Sequence, residues 1–207
     1  MNSSILKGKR FGTGGRNRSF SWSNILRRAL WNLIWALLAS WTPPQLHRWR
    51  RFLLNLCGAK IAPGARVYRS AQIWYPPNLS MGKGAVLGWN TVCYCMAPIE
   101  IGDYATVSQH AHLVAGTHDL DDPNFQLYAE PIKIGAHAWI ASRAFVGPGV
   151  TVGEGATLGA CGVTSSDLDP WMVYAGNPAR AIRPRRNFVA EEHESASGED
   201  VEIGSPQ

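Results

Sequence analysis

The chain has 207 residues, a net charge of +5, 45% hydrophobic residues and four cysteines. That length suits one ordinary domain with short appendages, and the apolar share is enough for a packed core. Cys57, Cys93, Cys95 and Cys161 form no C-x-x-C pair, which argues against a structural zinc site and suits a reducing compartment, and no secretory-type apolar run opens the sequence.

The charge is unevenly spread. Every acidic residue lies at or beyond Glu100, whereas fourteen of the twenty Lys and Arg precede it. Residues 1–21 are basic and rich in Ser and Gly, a composition that predicts disorder. A helical region is predicted over 22–58. Its first part, WSNILRRALWNLIWALLASW (22–41), sets Trp31 and Trp35 one turn apart, and Pro43 and Pro44 stop the helix. Thirteen uncharged residues run from Ala29 to Trp41, short of the ~20 that a bilayer span needs. Arg16, Arg18, Arg27 and Arg28 precede this run, and Arg48, Arg50 and Arg51 follow it. Two readings stay open: peripheral contact with an anionic membrane through residues 22–51, or a cap over the open end of the structure that follows.

A six-residue repeat governs residues 59–186. Ile134, Ile140, Val146, Val152 and Leu158 recur six apart, and Gly135, Ala141, Gly147, Gly153 and Gly159 follow them. Ala138, Ala144, Val150, Ala156 and Gly162 recur four positions on. The same register runs through Ile61, Val67 and Ile73, through Met81, Leu87 and Cys93, and through Ile101, Val107 and Leu113. Six residues make one short strand and its corner, and three strands close a triangular coil with the aliphatic residue inside. The predicted coils are 61–78, 81–98, 101–118, 134–151 and 152–169. The breaks at 79–80, 99–100 and 119–133 all fall at one corner of the prism, where a solenoid takes its insertions. The expectation is an all-β, left-handed parallel β-helix of about five triangular coils, with an inserted loop over 119–133. A disordered acidic tail, 187–207, ends the chain with Glu191, Glu192, Glu194, Glu199, Asp200 and Glu202.

Of the six histidines, His118 stands out as the last residue of the third coil, at the base of the inserted loop. A side chain there meets solvent and substrate, although a plain surface histidine would sit there too. Asn90 holds position ten of the second coil and His118 position eighteen of the third, which sets them on different walls of one prism. A site using both has to form between subunits. His110 lies one coil above Asn90, about 4.8 Å along the stack. Asp119 either orients His118 or is solvated, with a backbone carbonyl as the other way to fix the tautomer. Phe125 and Tyr128, in the inserted loop, offer aromatic faces to a sugar or pin the loop itself.

Four blocks carry a family resemblance: WRRFLLNLCGAKI (49–61), GTHD (116–119), PIKIGAHAWIASRAFVGPGVTVGEGATLGA (131–160) and VYAGNPARAI (173–182). Residues 61–186 resemble the hexapeptide-repeat acyltransferases of the maltose, galactoside and nodulation O-acetyltransferase group. The run from Trp31 resembles the colanic acid biosynthesis O-acetyltransferases. The resemblance implies a cytoplasmic homotrimer that moves acetyl from acetyl-CoA to a sugar hydroxyl in exopolysaccharide or cell-envelope polysaccharide synthesis. It implies no metal and no nucleic-acid partner, and an acceptor saccharide that is free or lipid-linked. His118 aligns with the family's catalytic histidine, a general base. Asn90 aligns with its acceptor-binding asparagine, with His110, Asp119 and Tyr128 expected nearby. Trp139, Ala141, Ser142 and Ala160 resemble the residues lining the pantetheine arm. Arg180 and Arg183 follow the GNP turn, where guanidinium groups suit the CoA phosphates. Ser165 and Ser166 stand where many relatives carry Thr-Lys, which removes one phosphate contact. Three alternatives stay open: an N-acetyltransferase of the same fold, a zinc enzyme like the γ-class carbonic anhydrases using His110, His112 and His118, and a non-enzymatic scaffold.

Overall fold

The computed structural model describes residues 20–122 and 125–190. The sequence readings for residues 1–19, 123–124 and 191–207 lie outside the described residues. Three parallel sheets form the walls of a triangular prism. Wall A holds strands 60–61, 79–81, 99–101, 132–134 and 151–152. Wall B holds 66–67, 86–87, 106–107, 139–140 and 157–158, then Met172–Ala175, and wall C holds 72–73, 92–94, 112–114, 145–146 and 163–164.

The hydrogen-bond register shows why the phase was readable. Ile61 pairs with Met81, Val67 with Leu87 and Ile73 with Cys93, the same offset on all three walls. Across the insertion, Ile101 pairs with Ile134, Val107 with Ile140 and Leu113 with Val146, again one offset on every wall. All surplus chain therefore leaves the prism at the corner between walls C and A. The surplus at the first two breaks does not bulge at 79–80 and 99–100 themselves. Leu79 and Ile99 pair within wall A and are buried, and the chain spends its extra length just before them, at Pro76–Asn78 and 95–98. Asn78 Nδ2 ties these two turns together by donating to the carbonyls of Cys95 (3.0 Å) and Met96 (2.9 Å).

Five coils are complete and a sixth is partial. It contributes only Leu168, bridged to Val152, on wall A, and Val173 and Tyr174, paired with Thr157 and Leu158, on wall B. After Thr164 on wall C the chain returns to wall A two residues early, at Leu168, so the sixth coil drops out of the six-residue phase. Met172–Ala175 then turns back as an antiparallel hairpin with Arg180–Pro184. The aliphatic residues of the repeat, from Ile61 to Leu158, are buried and line one continuous core. Gly135 shows the demand on the corners: a Cβ there would lie 2.5 Å from the backbone nitrogen of Glu154 in the next coil.

A solenoid ends in an unpaired strand edge, which has to be covered. Coil one sends its N–H groups up to coil two, as in Ala62 N–H to Met81 O and Gln72 N–H to Thr91 O, so carbonyls of its lower edge point away from the stack. Two helices cover them: α1, Trp22–Leu38, capped by Ser21 Oγ, and α2, His47–Leu56. Each wall receives at least one side-chain donor, and on wall B His47 Nδ1 also lies 3.0 Å from Val67 O. Asn55 Nδ2 donates to Ile61 O at 3.1 Å on wall A, Arg50 Nε to Val67 O at 2.7 Å on wall B, and Trp31 Nε1 to Ile73 O at 2.7 Å on wall C. Trp35 Nε1 adds a bond to Arg69 O at 3.1 Å. The helical region is therefore a cap, with the two tryptophans one turn apart serving α1, and Arg50 and Asn55 serving α2, as contacts with the prism.

Candidate active site

The inserted loop begins as a hairpin in which Gly116–His118 pairs antiparallel with Leu127–Ala129. His118 lies opposite Leu127, half-buried, just past the corner between walls C and A. Its Nδ1 is 2.8 Å from the carbonyl oxygen of Phe125. A carbonyl only accepts, so Nδ1 carries a proton, and in the neutral ring the lone pair is on Nε2. The Phe125 ring stacks on the imidazole, with centroids 4.1 Å apart and planes 10° off parallel. Phe125 itself adopts a left-handed backbone, φ 50°, and its N–H donates to Asp122 O at 2.7 Å, which turns its carbonyl toward the histidine. The result is an imidazole of fixed plane whose neutral form can have only one tautomer, with Nε2 as the proton acceptor.

Phe125 O, not Asp119, orients the ring. Asp119 Oδ1 accepts from the N–H of Asp121 at 3.0 Å and holds the loop's own turn. Tyr128 pairs with Thr117, so it projects from the face of the hairpin opposite to His118 and Leu127.

Asn90 and His110 stand at another corner, between walls B and C, exposed and in left-handed conformation with φ of 53° and 59°. Their backbones stitch the coils together: Asn90 N–H donates to Ser70 Oγ at 3.0 Å and His110 N–H to Trp89 O at 2.8 Å. The same edge continues upward, where Arg143 N–H donates to Gln109 O at 3.2 Å and Cys161 N–H to Ser142 O at 2.9 Å. Asn90, His110, Ser142 and Ala160 thus lie along one edge. Trp139 is exposed on wall B beside it, with Nε1 donating to Ser108 Oγ at 2.9 Å, while Ala141 is buried. The GNP turn sits above this edge, held by Val163 N–H to Gly176 O (2.9 Å) and Ala179 N–H to Val163 O (2.8 Å). Arg180 and Arg183 follow it, both exposed. Ser165 is exposed at the C–A corner, next to Gly147 of the coil below.

One chain therefore splits its candidate residues between two edges. The C–A edge carries His118 and Ser165. The B–C edge carries Asn90, His110, Ser142 and Ala160, with Trp139 close by, and wall C separates the two sets. The three histidines of the zinc alternative are equally dispersed: His110 at the B–C corner, His112 on wall C and His118 beyond the C–A corner. Among the described residues, no three His, Cys, Asp or Glu converge.

Two residues escaped the sequence reading, Trp89 at the B–C edge and Arg185 at the A–B corner, away from both candidate edges. Trp89 is exposed next to Asn90 and packs at a 38° tilt on Tyr68 with centroids 4.8 Å apart, leaving an aromatic face to solvent. Its only signal is the GWN tripeptide. Arg185 holds the upper hairpin down by donating from Nη1 to His137 O (3.0 Å) and Gly155 O (2.8 Å), and burial pulls its guanidinium below the usual value. It lies in an RPRR run whose cations look alike in sequence.

No family model matches the chain. In sequence it is 38% identical over 168 residues to WcaF of Escherichia coli K12, a protein named for acetyl transfer in colanic acid biosynthesis, spanning 81% of this chain and 92% of WcaF. Among solved structures, a galactoside acetyltransferase in complex with coenzyme A matches with a TM-score of 0.74 at 23% identity, over 84% of this chain and 88% of that one. The hexapeptide-repeat acetyltransferase VCA0836 of Vibrio cholerae O1 biovar eltor, complexed with acetyl coenzyme A, matches with a TM-score of 0.69 at 21% identity, over 90% and 100%. At these identities the structural matches establish the fold, a left-handed parallel β-helix.

Proposed function

The chain belongs to the acetyltransferase family of WcaF, and on that premise we propose that it transfers acetyl from acetyl-CoA to a saccharide hydroxyl, with His118 as general base. The observation that carries the reading is the His118–Phe125 hydrogen bond, which leaves Nε2 as the acceptor. His118 takes the hydroxyl proton as the sugar oxygen attacks the acetyl carbon, and returns it to the departing CoA sulfur. The coenzyme A complexes of the structural neighbours support acetyl-CoA as donor. Trp139, Ser142 and Ala160 would flank its pantetheine arm, with Arg180 and Arg183 near its phosphates and Ser165, on the C–A edge, approaching it from a neighbouring copy. The acceptor is a precursor of an exopolysaccharide or envelope polysaccharide, free or lipid-linked, in keeping with the name of WcaF. Because acetyl-CoA is a cytosolic metabolite, the reaction runs on the cytoplasmic side.

The split between two edges calls for a homotrimer. In a cyclic assembly the contact is heterologous, so the C–A edge of one copy meets the B–C edge of the next. His118 of one subunit would then face Asn90, His110 and Trp89 of its neighbour.

Two experiments test this. Labelled acetyl-CoA is incubated with the protein and a panel of saccharide precursors, and the product is treated with mild alkali. Alkali-labile label is the expected ester. Alkali-stable label on an amino sugar would mean amide formation and overturn the hydroxyl reading, as would transfer to no saccharide at all. Separately, inactive Asn90→Ala and His118→Ala subunits, dissociated and reassembled together, are expected to regain activity at interfaces holding both intact residues. Confirmed mixed trimers that stay inactive would place the site inside one chain.

A further inference from the structure

Among the described residues, eleven of the eighteen exposed large apolar side chains lie between Trp22 and Leu56. On α1, Trp22, Leu26, Leu30, Leu33 and Leu37 follow one another at three- and four-residue steps and form one stripe, each 55–65% exposed. Trp41 ends it, 67% exposed. Trp31 and Trp35, which bind the prism, point elsewhere, so the stripe is not the helix's packing face. On α2, Trp49, Phe52 and Leu56 make a second exposed stripe while Leu53 and Leu54 are buried beneath. The helices adjoin: Trp49 Nε1 donates to Leu38 O at 2.7 Å, and Leu30, Ile34 and Leu56 line one cleft.

The rim of this surface is cationic. Arg27 borders the α1 stripe and Arg48 and Arg51 the α2 stripe, while Lys7, Lys9, Arg10, Arg16 and Arg18 precede the helices in sequence. No Asp or Glu occurs before Glu100. No helix among the described residues is long and apolar enough to cross a membrane. We infer that the outer face of α1 and α2 docks the protein on an anionic lipid surface. The leucines enter the acyl boundary, Trp22 and Trp41 sit at headgroup depth, and the arginines meet the lipid phosphates. A second copy would cover the leucines equally well, but it would set arginine rim against arginine rim with no carboxylate between them. The cap is thus two-sided: tryptophans, Arg50 and Asn55 toward the prism, leucines toward the lipid. This inference is independent of the reaction, since its test reads neither donor nor acceptor.

The test is flotation of the full-length protein with phosphatidylglycerol-containing or pure phosphatidylcholine vesicles at low and moderate salt. The intact chain is expected to float with the anionic vesicles only, and less at higher salt. The Arg48→Gln/Arg51→Gln variant should lose roughly 30-fold in partitioning, from about 1 kcal/mol per cation. The Leu30→Ser/Leu33→Ser/Leu37→Ser variant should stay soluble with its oligomeric state unchanged by light scattering. If that variant misfolds, the arginine pair, Arg48 exposed and Arg51 half-buried, carries the test alone. An intact chain that floats with neither vesicle overturns the inference. A leucine variant that still floats but drops to a smaller oligomer also overturns it, and puts a second copy on this face.

Discussion

Replacing His118 with alanine is expected to lower acetyl transfer by roughly 10²–10⁴-fold, about 3–5 kcal/mol of barrier, and to leave the fold intact. The size follows from the task. Without a base, the sugar hydroxyl must attack while still protonated. The fold survives because the ring stands on a hairpin outside the prism, and its loss frees only one loop carbonyl and one stacked ring. His118→Gln separates chemistry from scaffolding. Its amide can still donate toward Phe125 O but cannot act as a base, so it should be as slow as the alanine variant. In both, the loss should appear in kcat, with acetyl-CoA binding by calorimetry close to that of the parent. Near-normal turnover in a folded His118→Ala protein would sink the assignment.

How far the sequence reaches is clearest at the prism. Its walls repeat one physical demand, an aliphatic residue inside and a small one at the corner, so phase alone predicts that Ile134 lies on Ile101 and Val146 on Leu113. The sixth coil was missed because shortening by two residues breaks that phase, and Tyr174 replaces an aliphatic residue on the inner wall. The cap was legible only as a helix. With apolar residues around most of α1, periodicity does not say which face packs inward. What decides it is the need for donors on the open strand edge, which Trp31 meets and Leu30 cannot. At the site, the position of His118 was legible from the insertion. Its tautomer was not, because the carbonyl that fixes it comes from the left-handed backbone of Phe125, in a loop with no repeat. The separation of Asn90 from His118 follows from counting positions around a coil. Trp89 does not, since wall positions facing outward carry no periodic signal.

Removing the Arg50 side chain is the substitution expected to harm stability most, by about 3–5 kcal/mol for Arg50→Ala. The residue is fully buried, its bonded partners among the described residues include no carboxylate, and burial pulls its guanidinium below the usual value. What holds the charge is a set of neutral acceptors arranged around the fork. Nε donates to Val67 O at 2.7 Å, Nη1 to Thr42 Oγ1 at 2.7 Å and Pro43 O at 3.0 Å, and Nη2 to Pro44 O at 2.5 Å. One side chain thereby locks the α1–α2 connection, α2 itself and the open edge of wall B. Alanine leaves Val67 O without this donor and opens a cavity beneath Leu53 and Leu54, two costs that add. Lysine should recover only part of the loss, because an ammonium cannot reach acceptors spread around a planar guanidinium. Urea unfolding at fixed protein concentration measures the difference, fixed because assembly contributes to apparent stability. Limited proteolysis reports where it arises: the variant should be cut within 39–46 before the coils are touched. A midpoint shift worth less than about 1 kcal/mol, the scale of one ordinary hydrogen bond, would mean that the helices stay on the prism without it, held by Trp31, Trp35 and Asn55.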